Sequence, residues 1–271
     1  MDQLSTEGAK APLNSETQCP SIDILGTRLS LCDQPTLLHM IQRAISDHQR
    51  LLVLSGNIYS FNLAYEHGWL RQFFNQADIV RLDGAGVRLG ARLLGHDTPA
   101  RMTWADFGWS LADFAAQHGH SLFLLGSKPG IANTAAARLQ AHSPALQIVG
   151  IHHGYFDKTT GSAENEAVLA QINAARPHIL VVGFGMPLQE RWLLENRARI
   201  DANVILTGGA VFDYISGELR RGPTWLTDHG MEWLARLLIE PRRLWKRYII
   251  GNPLFLYRVL KQKFGLLRFN E

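Results

Sequence analysis

Asp78-Ile79-Val80-Arg81-Leu82-Asp83-Gly84-Ala85-Gly86-Val87 carries an apolar run into an acid, passes two glycines and opens a helical pattern that continues to Leu94. A carboxylate at that point stands where a strand ends and a helix begins. In open α/β sheets, ligands bind in the crevice beyond the carboxyl ends of the strands. Asp83 is the first candidate for chemistry, either as a general base or as the cap of the following helix.

The same arrangement recurs along the chain. Leu51-Leu52-Val53-Leu54 ends at Ser55-Gly56-Asn57, with a helical segment following around Asn62 to Phe74. Leu122 to Leu125 ends at Gly126-Ser127-Lys128-Pro129-Gly130 and an Ala-rich helix to His142. Ile148 to Ile151 ends at His152-His153-Gly154. Ile179 to Val182 ends at Gly183-Phe184-Gly185-Met186-Pro187, before a helix to about Arg199, and Val204 to Leu206 ends at Thr207-Gly208-Gly209. Short apolar strands alternating with helices of about 10 to 15 residues define an α/β fold, a mainly parallel Rossmann-like sheet covered on both faces.

Outward from this rhythm, residues 1–20 are polar and aperiodic and read as a disordered leader. Ile22 to Leu25 and Arg28 to Leu31, joined around Gly26-Thr27, form a hairpin pattern, and Asp33 or Thr36 caps a helix through Ile45. Residues 21–217 form the α/β unit, and 218–271 a helical appendage. There, Met231 to Tyr248 has helical spacing broken by Pro241, so two shorter helices are expected, with another starting near Pro253.

Charge divides the chain in the same place. Leu219 to Glu271 holds eleven Lys/Arg against four Asp/Glu, whereas the net charge of all 271 residues is only +3. A mildly acidic body carrying a basic tail points to nucleic acid, anionic lipid or a phosphorylated ligand. Arg and Lys beside Trp233, Leu234 and Trp245 have the composition of a surface-lying membrane helix, or of a stripe packed on the body. No apolar stretch reaches the roughly 18 residues of a spanning helix, and no secretion signal is evident. Cys19 and Cys32, outside any metal spacing, read as incidental thiols of a reducing cytoplasm.

The strand ends limit the chemistry. Gly126-Ser127-Lys128-Pro129-Gly130 suits a phosphate but lacks P-loop spacing, and Gly183-Phe184-Gly185 lacks the third glycine of a dinucleotide fingerprint because Leu188 stands there. Asp83 has neither a Ser-His arrangement nor a Cys nucleophile near it in sequence, which fits a base acting on an attacking hydroxyl. Asn57, and more weakly Ser55, either orients a sugar hydroxyl or stabilises a turn. His152 and His153 point to opposite faces of a strand and cannot share one ion, and no Asp-x-Asp pair offers a Mg²⁺ seat. Asp213 is the second acid, lining a pocket or pairing locally.

Taken together, these segments resemble the WecG/TagA/CpsF glycosyltransferases. The resemblance runs through Asn57, Ala77-Asp78-Ile79-Val80 to Asp83-Gly84, Leu124-Leu125-Gly126, and Val149 to Phe156. It continues through Gly183-Phe184-Gly185-Met186-Pro187-Leu188-Gln189-Glu190, Gly230 to Arg236 and Glu240 to Tyr248, covering roughly Ile22 to Phe255.

The resemblance implies an inverting, metal-independent hexosyltransferase that forms a β-linkage. It uses no cofactor and takes a UDP-sugar as donor and a sugar on a polyprenyl diphosphate as acceptor. The work would be done peripherally on the inner face of the bacterial plasma membrane, in cell-surface polysaccharide assembly. Asp83 matches the family's base, Asn57 its sugar-binding Asn, and Ser55 a position where many members have Thr. Gln189 falls on a pocket motif, and Arg236, Arg243 and Arg247 on basic positions of the appendage. Gly84, Gly126 and Gly185 complete the candidate binding set. Trp104 stands where many members have glycine, which changes the pocket's shape and leaves UDP-glucose and UDP-N-acetylmannosamine both open as donors. No nucleic-acid partner is expected, and a homo-oligomeric state is left open. The rivals are a nucleotide-cofactor oxidoreductase on the same type of sheet, and a non-catalytic nucleic-acid or membrane adaptor.

Overall fold

The computed structural model describes residues 19–228 and 230–267; most of the expected leader lies outside them. A hairpin of β1 (Ser21–Ile24) and β2 (Thr27–Ser30) comes first. Then α1 (Gln34–Ser46) starts at Asp33, whose side chain accepts from the Thr36 amide. The body continues through β3 (Leu51–Gly56), α2 (Ile58–Glu66), α3 (Gly68–Gln76), β4 (Ile79–Leu82), α4 (Ala85–Leu93) and α5 (Trp104–His118). It proceeds through β5 (Ser121–Gly126), α6 (Ile131–His142), β6 (Gln147–His152) and α7 (Ala163–Ala175). It closes with β7 (Ile179–Gly183), α8 (Leu188–Asn196), β8 (Val204–Thr207) and α9 (Val211–Ser216). The appendage comprises α10 (Thr224–Asp228), α11 (Glu232–Ile239), α12 (Pro241–Trp245), a π-helical turn at Lys246–Ile250 and α13 (Gly251–Lys263).

Strands β3 to β8 form one sheet in the order β4-β3-β8-β7-β5-β6, and every pairing is parallel. Because side chains alternate across a strand, each run feeds two cores. Leu51, Val53, Ile79, Leu122, Leu124, Val181 and Leu206 pack on one face. Leu52, Leu54, Val80, Leu82, Phe123, Leu125 and Val182 pack on the other. That is why these strands read as continuous apolar runs.

Several expectations are corrected. Cys19 and Cys32 are joined as a disulfide with Cα atoms 5.3 Å apart, so they are not free thiols. Cys19 is buried and Pro20 accepts a hydrogen bond from the Leu31 amide, so these two residues belong to the body and not to a leader. The helical segment expected around Asn62 to Phe74 is two helices, broken at His67. Pro241 does separate two helices, but α12 runs without a break through the π turn into α13, placing Pro253 in the first turn of that last helix.

The appendage returns to the body. Gln262 accepts from the Leu25 amide and donates to Asp23, tying α13 to the hairpin. Arg258 pairs with Glu66 at 2.7 Å on α2, and Phe255 is fully buried against α4. Among the described residues, no helix is long and apolar enough to cross a membrane.

Candidate active site

A cavity of about 500 Å³ opens at the carboxyl ends of β4, β3, β8 and β7, roofed by the appendage. Asp83 lies on its wall at the end of β4, with its amide bonded to the Gly56 carbonyl at 2.9 Å. The cap position of α4 is Gly84, whose φ of +102° suits glycine alone among common residues, and no side chain caps that helix. The half-buried Asp83 carboxylate accepts no hydrogen bond from a described residue. Asp83 therefore does not cap α4, and it lines the cavity.

Asn57 and Ser55 reach the cavity at the end of β3. Asn57 caps α2: its Oδ1 accepts from the Ser60 amide at 3.0 Å, and Ser60 Oγ accepts from the Asn57 amide in return. The turn thus takes the oxygen, and Nδ2 is what Asn57 has to offer a ligand. Ser55 is more fully committed. Its Oγ donates to the Thr207 carbonyl at 2.8 Å and accepts from Arg81 at 2.9 Å, so it serves the cavity floor.

Trp104 also belongs to that floor. Its Nε1 donates to the Thr207 carbonyl at 2.9 Å, its ring meets Phe107 edge-on, and it is only 6% exposed. A sugar can meet the exposed margin of the indole, not a free face. Beneath it lies fully buried Arg81, over the Trp104 ring at 4.8 Å, donating to Ser55 and to the Met102 carbonyl. Arg81, absent from the sequence candidates, does carry a signal, since a cation interrupts an otherwise apolar strand.

From β7 come Gly185 and Gln189, and from β8 the Gly208-Gly209 turn. Gly126 is not among the residues that line the cavity. It ends β5, on the far side of β7, and a Cβ there would run into the Gly183 backbone, so its requirement is close strand approach. Asp213 accepts from Ser127 at 3.0 Å, which is local pairing. His152 ends β6 and His153 lies just beyond it, both outside the cavity; their rings are 4.6 Å apart, so they do not point to opposite faces of a strand as expected. Among the described residues, no group of three or more His, Cys, Asp or Glu side chains is arranged to hold a metal ion.

The appendage contributes the cations. Arg236, Arg243 and Arg247 all line the cavity. Arg247 lies over the Tyr59 ring at 4.7 Å and Arg236 over Tyr214 at 5.4 Å. In both, Nε is buried without a hydrogen-bond partner. Burial pushes the Arg247 guanidinium below its ordinary range, partly offset by Tyr248 and the charge of Asp83. For Arg236, burial works downward, but Tyr214, Tyr248 and Glu240 raise it overall. Arg243 sits at the rim, 63% exposed, paired with Glu240 at 2.5 Å.

Three further residues line the cavity that were not among the sequence candidates. Glu232 enters the cavity at the start of α11, and Arg101 reaches it from the loop before α5 at 3.4 Å. Burial, and then the charge of Asp83, push the Glu232 carboxyl above its ordinary value. Tyr214 also lines the cavity, its hydroxyl raised by burial. Nothing local marks Glu232, which reaches the site by the fold-back of the appendage, whereas Tyr214 stands on α9 directly after the β8 turn.

A parallel α/β enzyme with a carboxylate that no described residue bonds and three arginines of the appendage in a single cleft is the class that fold and site define. The chain belongs to the WecG/TagA/CpsF family of glycosyl transferases, whose family profile matches residues 22–268, and it is a glycosyltransferase. It is 27% identical to an N-acetylglucosaminyldiphosphoundecaprenol N-acetyl-beta-D-mannosaminyltransferase of Staphylococcus aureus strain NCTC 8325 / PS 47, over 89% of this chain and 93% of that protein. The proteins of the same name from strains COL and MW2 are 27% and 26% identical, with the same coverage.

Proposed function

We propose that this enzyme transfers a hexose from a UDP-sugar to a sugar carried on a polyprenyl diphosphate, with inversion and without a metal ion. The observation that carries the reading is the pairing, in one cavity, of Asp83 with Arg236 and Arg247, whose Nε donors are buried and unfilled. Arg236 has only a long ion pair to Glu240 at 3.7 Å, and a diphosphate supplies an acceptor for the buried Nε donors of both arginines.

In this reading, Asp83 removes the proton from an acceptor hydroxyl as that oxygen attacks the anomeric carbon from the face opposite UDP. The bond from the anomeric carbon to the phosphate oxygen breaks, and its electron pair leaves with UDP. Arg236 and Arg247 stabilise the charge that develops on the departing diphosphate. Arg243, at the rim, meets the more exposed phosphate. Asn57 Nδ2 and Gln189 orient the donor. The relatives' name supports a lipid-diphosphate acceptor bearing N-acetylglucosamine and a donor sugar of the N-acetylmannosamine type. The Trp104 margin at the floor keeps UDP-glucose as an equal candidate.

The enzyme acts peripherally, on the inner face of the plasma membrane. Trp245, Ile249, Ile250 and Phe264 are exposed on the appendage, which also carries Arg and Lys, a combination suited to anionic lipid.

The test is to incubate the enzyme, with and without EDTA, with a panel of UDP-sugars and short-chain lipid-diphosphate acceptors. Products are identified by mass spectrometry and anomeric configuration by NMR. One added hexosyl group with inverted configuration and undiminished turnover in EDTA is expected. Retention of configuration, or loss of turnover in EDTA, overturns the mechanism.

A further inference from the structure

Gln189 and Glu190 stand side by side at the start of α8, and both are essentially inaccessible. Gln189 lines the cavity, and both ends of its amide are engaged. Oε1 accepts from the Gly209 amide at 3.0 Å, and Nε2 donates to Glu190 Oε1 at 2.7 Å. An amide flipped end for end would put a donor against the Gly209 N–H, so this network admits a single orientation. Nε2 keeps a second hydrogen for which no described residue provides an acceptor.

Glu190 is a costly residue to keep there. It is fully buried, its Oε2 has no partner, and no cation pairs with it. Burial pushes its carboxyl up to about 7, against the opposing pull of the Gln189 hydrogen bond. An apolar side chain of similar volume would fill this position at lower cost. The interaction that the carboxyl makes and an apolar group would lose is the one that holds Gln189.

We propose that Glu190 is a positioning residue. It holds the Gln189 amide so that the remaining Nε2 hydrogen is presented to an oxygen of the bound UDP-sugar. This rests on the cavity being the UDP-sugar site. Without the Glu190 acceptor, the Gln189 side chain regains rotamer freedom and must be ordered by the ligand itself, which weakens binding.

The experiment compares Gln189→Ala, Glu190→Met, the double variant and Glu190→Gln. The Kd is measured by titration calorimetry with UDP-glucose and UDP-N-acetylmannosamine, using whichever binds the unaltered enzyme more tightly. Glu190→Met keeps the length and volume but has no oxygen acceptor, and Glu190→Gln keeps the acceptor without the charge. Each of the first two variants is expected to weaken binding about tenfold, the worth of one hydrogen bond in a dry site. The double variant is expected to be no weaker than Gln189→Ala, because both changes remove one shared interaction. Glu190→Gln is expected to recover the affinity.

Losses that multiply in the double variant, or an unchanged Kd in Glu190→Met, overturn the positioning role while leaving the functional reading intact. Failure of the unaltered enzyme to bind either UDP-sugar overturns the functional reading, and the positioning role falls with it.

Discussion

Arg101, in the loop before α5, meets Glu232 at the start of α11 across the cavity at 3.4 Å, and the same guanidinium donates to the Thr227 carbonyl. This contact joins residues 131 positions apart and fastens the appendage over the site. Arg221 and Asp106 make a second such join, bidentate at 2.5 and 2.7 Å. Arg101→Ala or Glu232→Ala leaves one charged partner largely buried, which costs about 1 to 3 kcal/mol. Urea unfolding is expected to register that loss, and the double variant is expected to be less destabilised than the two singles combined. Additive losses would mean that the pair does not act as a unit.

Asp83→Asn keeps the size of the side chain and removes the base. Turnover is expected to fall by about 10² to 10⁴-fold. UDP affinity is expected to change little, because the groups proposed to hold the diphosphate are arginines. Single-turnover kinetics with UDP calorimetry separates the two effects. Near-unaltered turnover removes Asp83 from the role of base.

Arg247→Ala is expected to weaken UDP binding by about 10- to 100-fold, since a hydrogen bond to a charged group is worth about 1.5 to 3 kcal/mol. Arg247→Lys is expected to recover only part of it, because an ammonium cannot reproduce the planar fork over Tyr59. Titration calorimetry of both variants gives the comparison.

Glu190 makes stability depend on pH with a definite sign. Its carboxyl is raised by burial from 4.5 to about 7, so the folded chain keeps a proton that the unfolded chain releases. The stability present below about 4.5 is lost as pH rises towards 7, by something on the order of 3 kcal/mol. Glu190→Gln removes that loss. Unfolding in urea at pH 5 and pH 8 is expected to show the variant gaining on the unaltered protein between the two. A difference independent of pH would refute the assignment.

Much of the fold was legible because a parallel strand buried on both faces leaves a local signature. Leu51 to Leu54, Leu122 to Leu125 and Ile179 to Val182 are continuous apolar runs ending in glycine-rich turns, and each is a strand. The helices α5 and α7 were not among the elements expected from the sequence. In α5 the buried Trp104, Phe107, Leu111 and Phe114 recur at helical spacing, so the signal for that helix is present in the sequence. The pairing of Cys19 with Cys32 was also missed, because a spacing in sequence does not say which backbone segments approach.

By itself, the sequence determined that Asp83 stands at a strand end before a glycine-rich helix start, since strand propensity, glycine and helical period are local properties. It also determined that the last fifty residues are basic and amphipathic. Only the tertiary structure decided which strand ends share a cavity. The return of β8 between β3 and β7 brings Gly209 to Gln189 and leaves Gly126 outside, and strand order is set by packing over the whole sheet. The same folding spends the hydroxyl of Ser55 on Thr207 and brings Glu232, Arg236 and Arg247 to Asp83. Hydrogen-bond partners and neighbouring charges arise from distances in space, which no spacing along the chain contains.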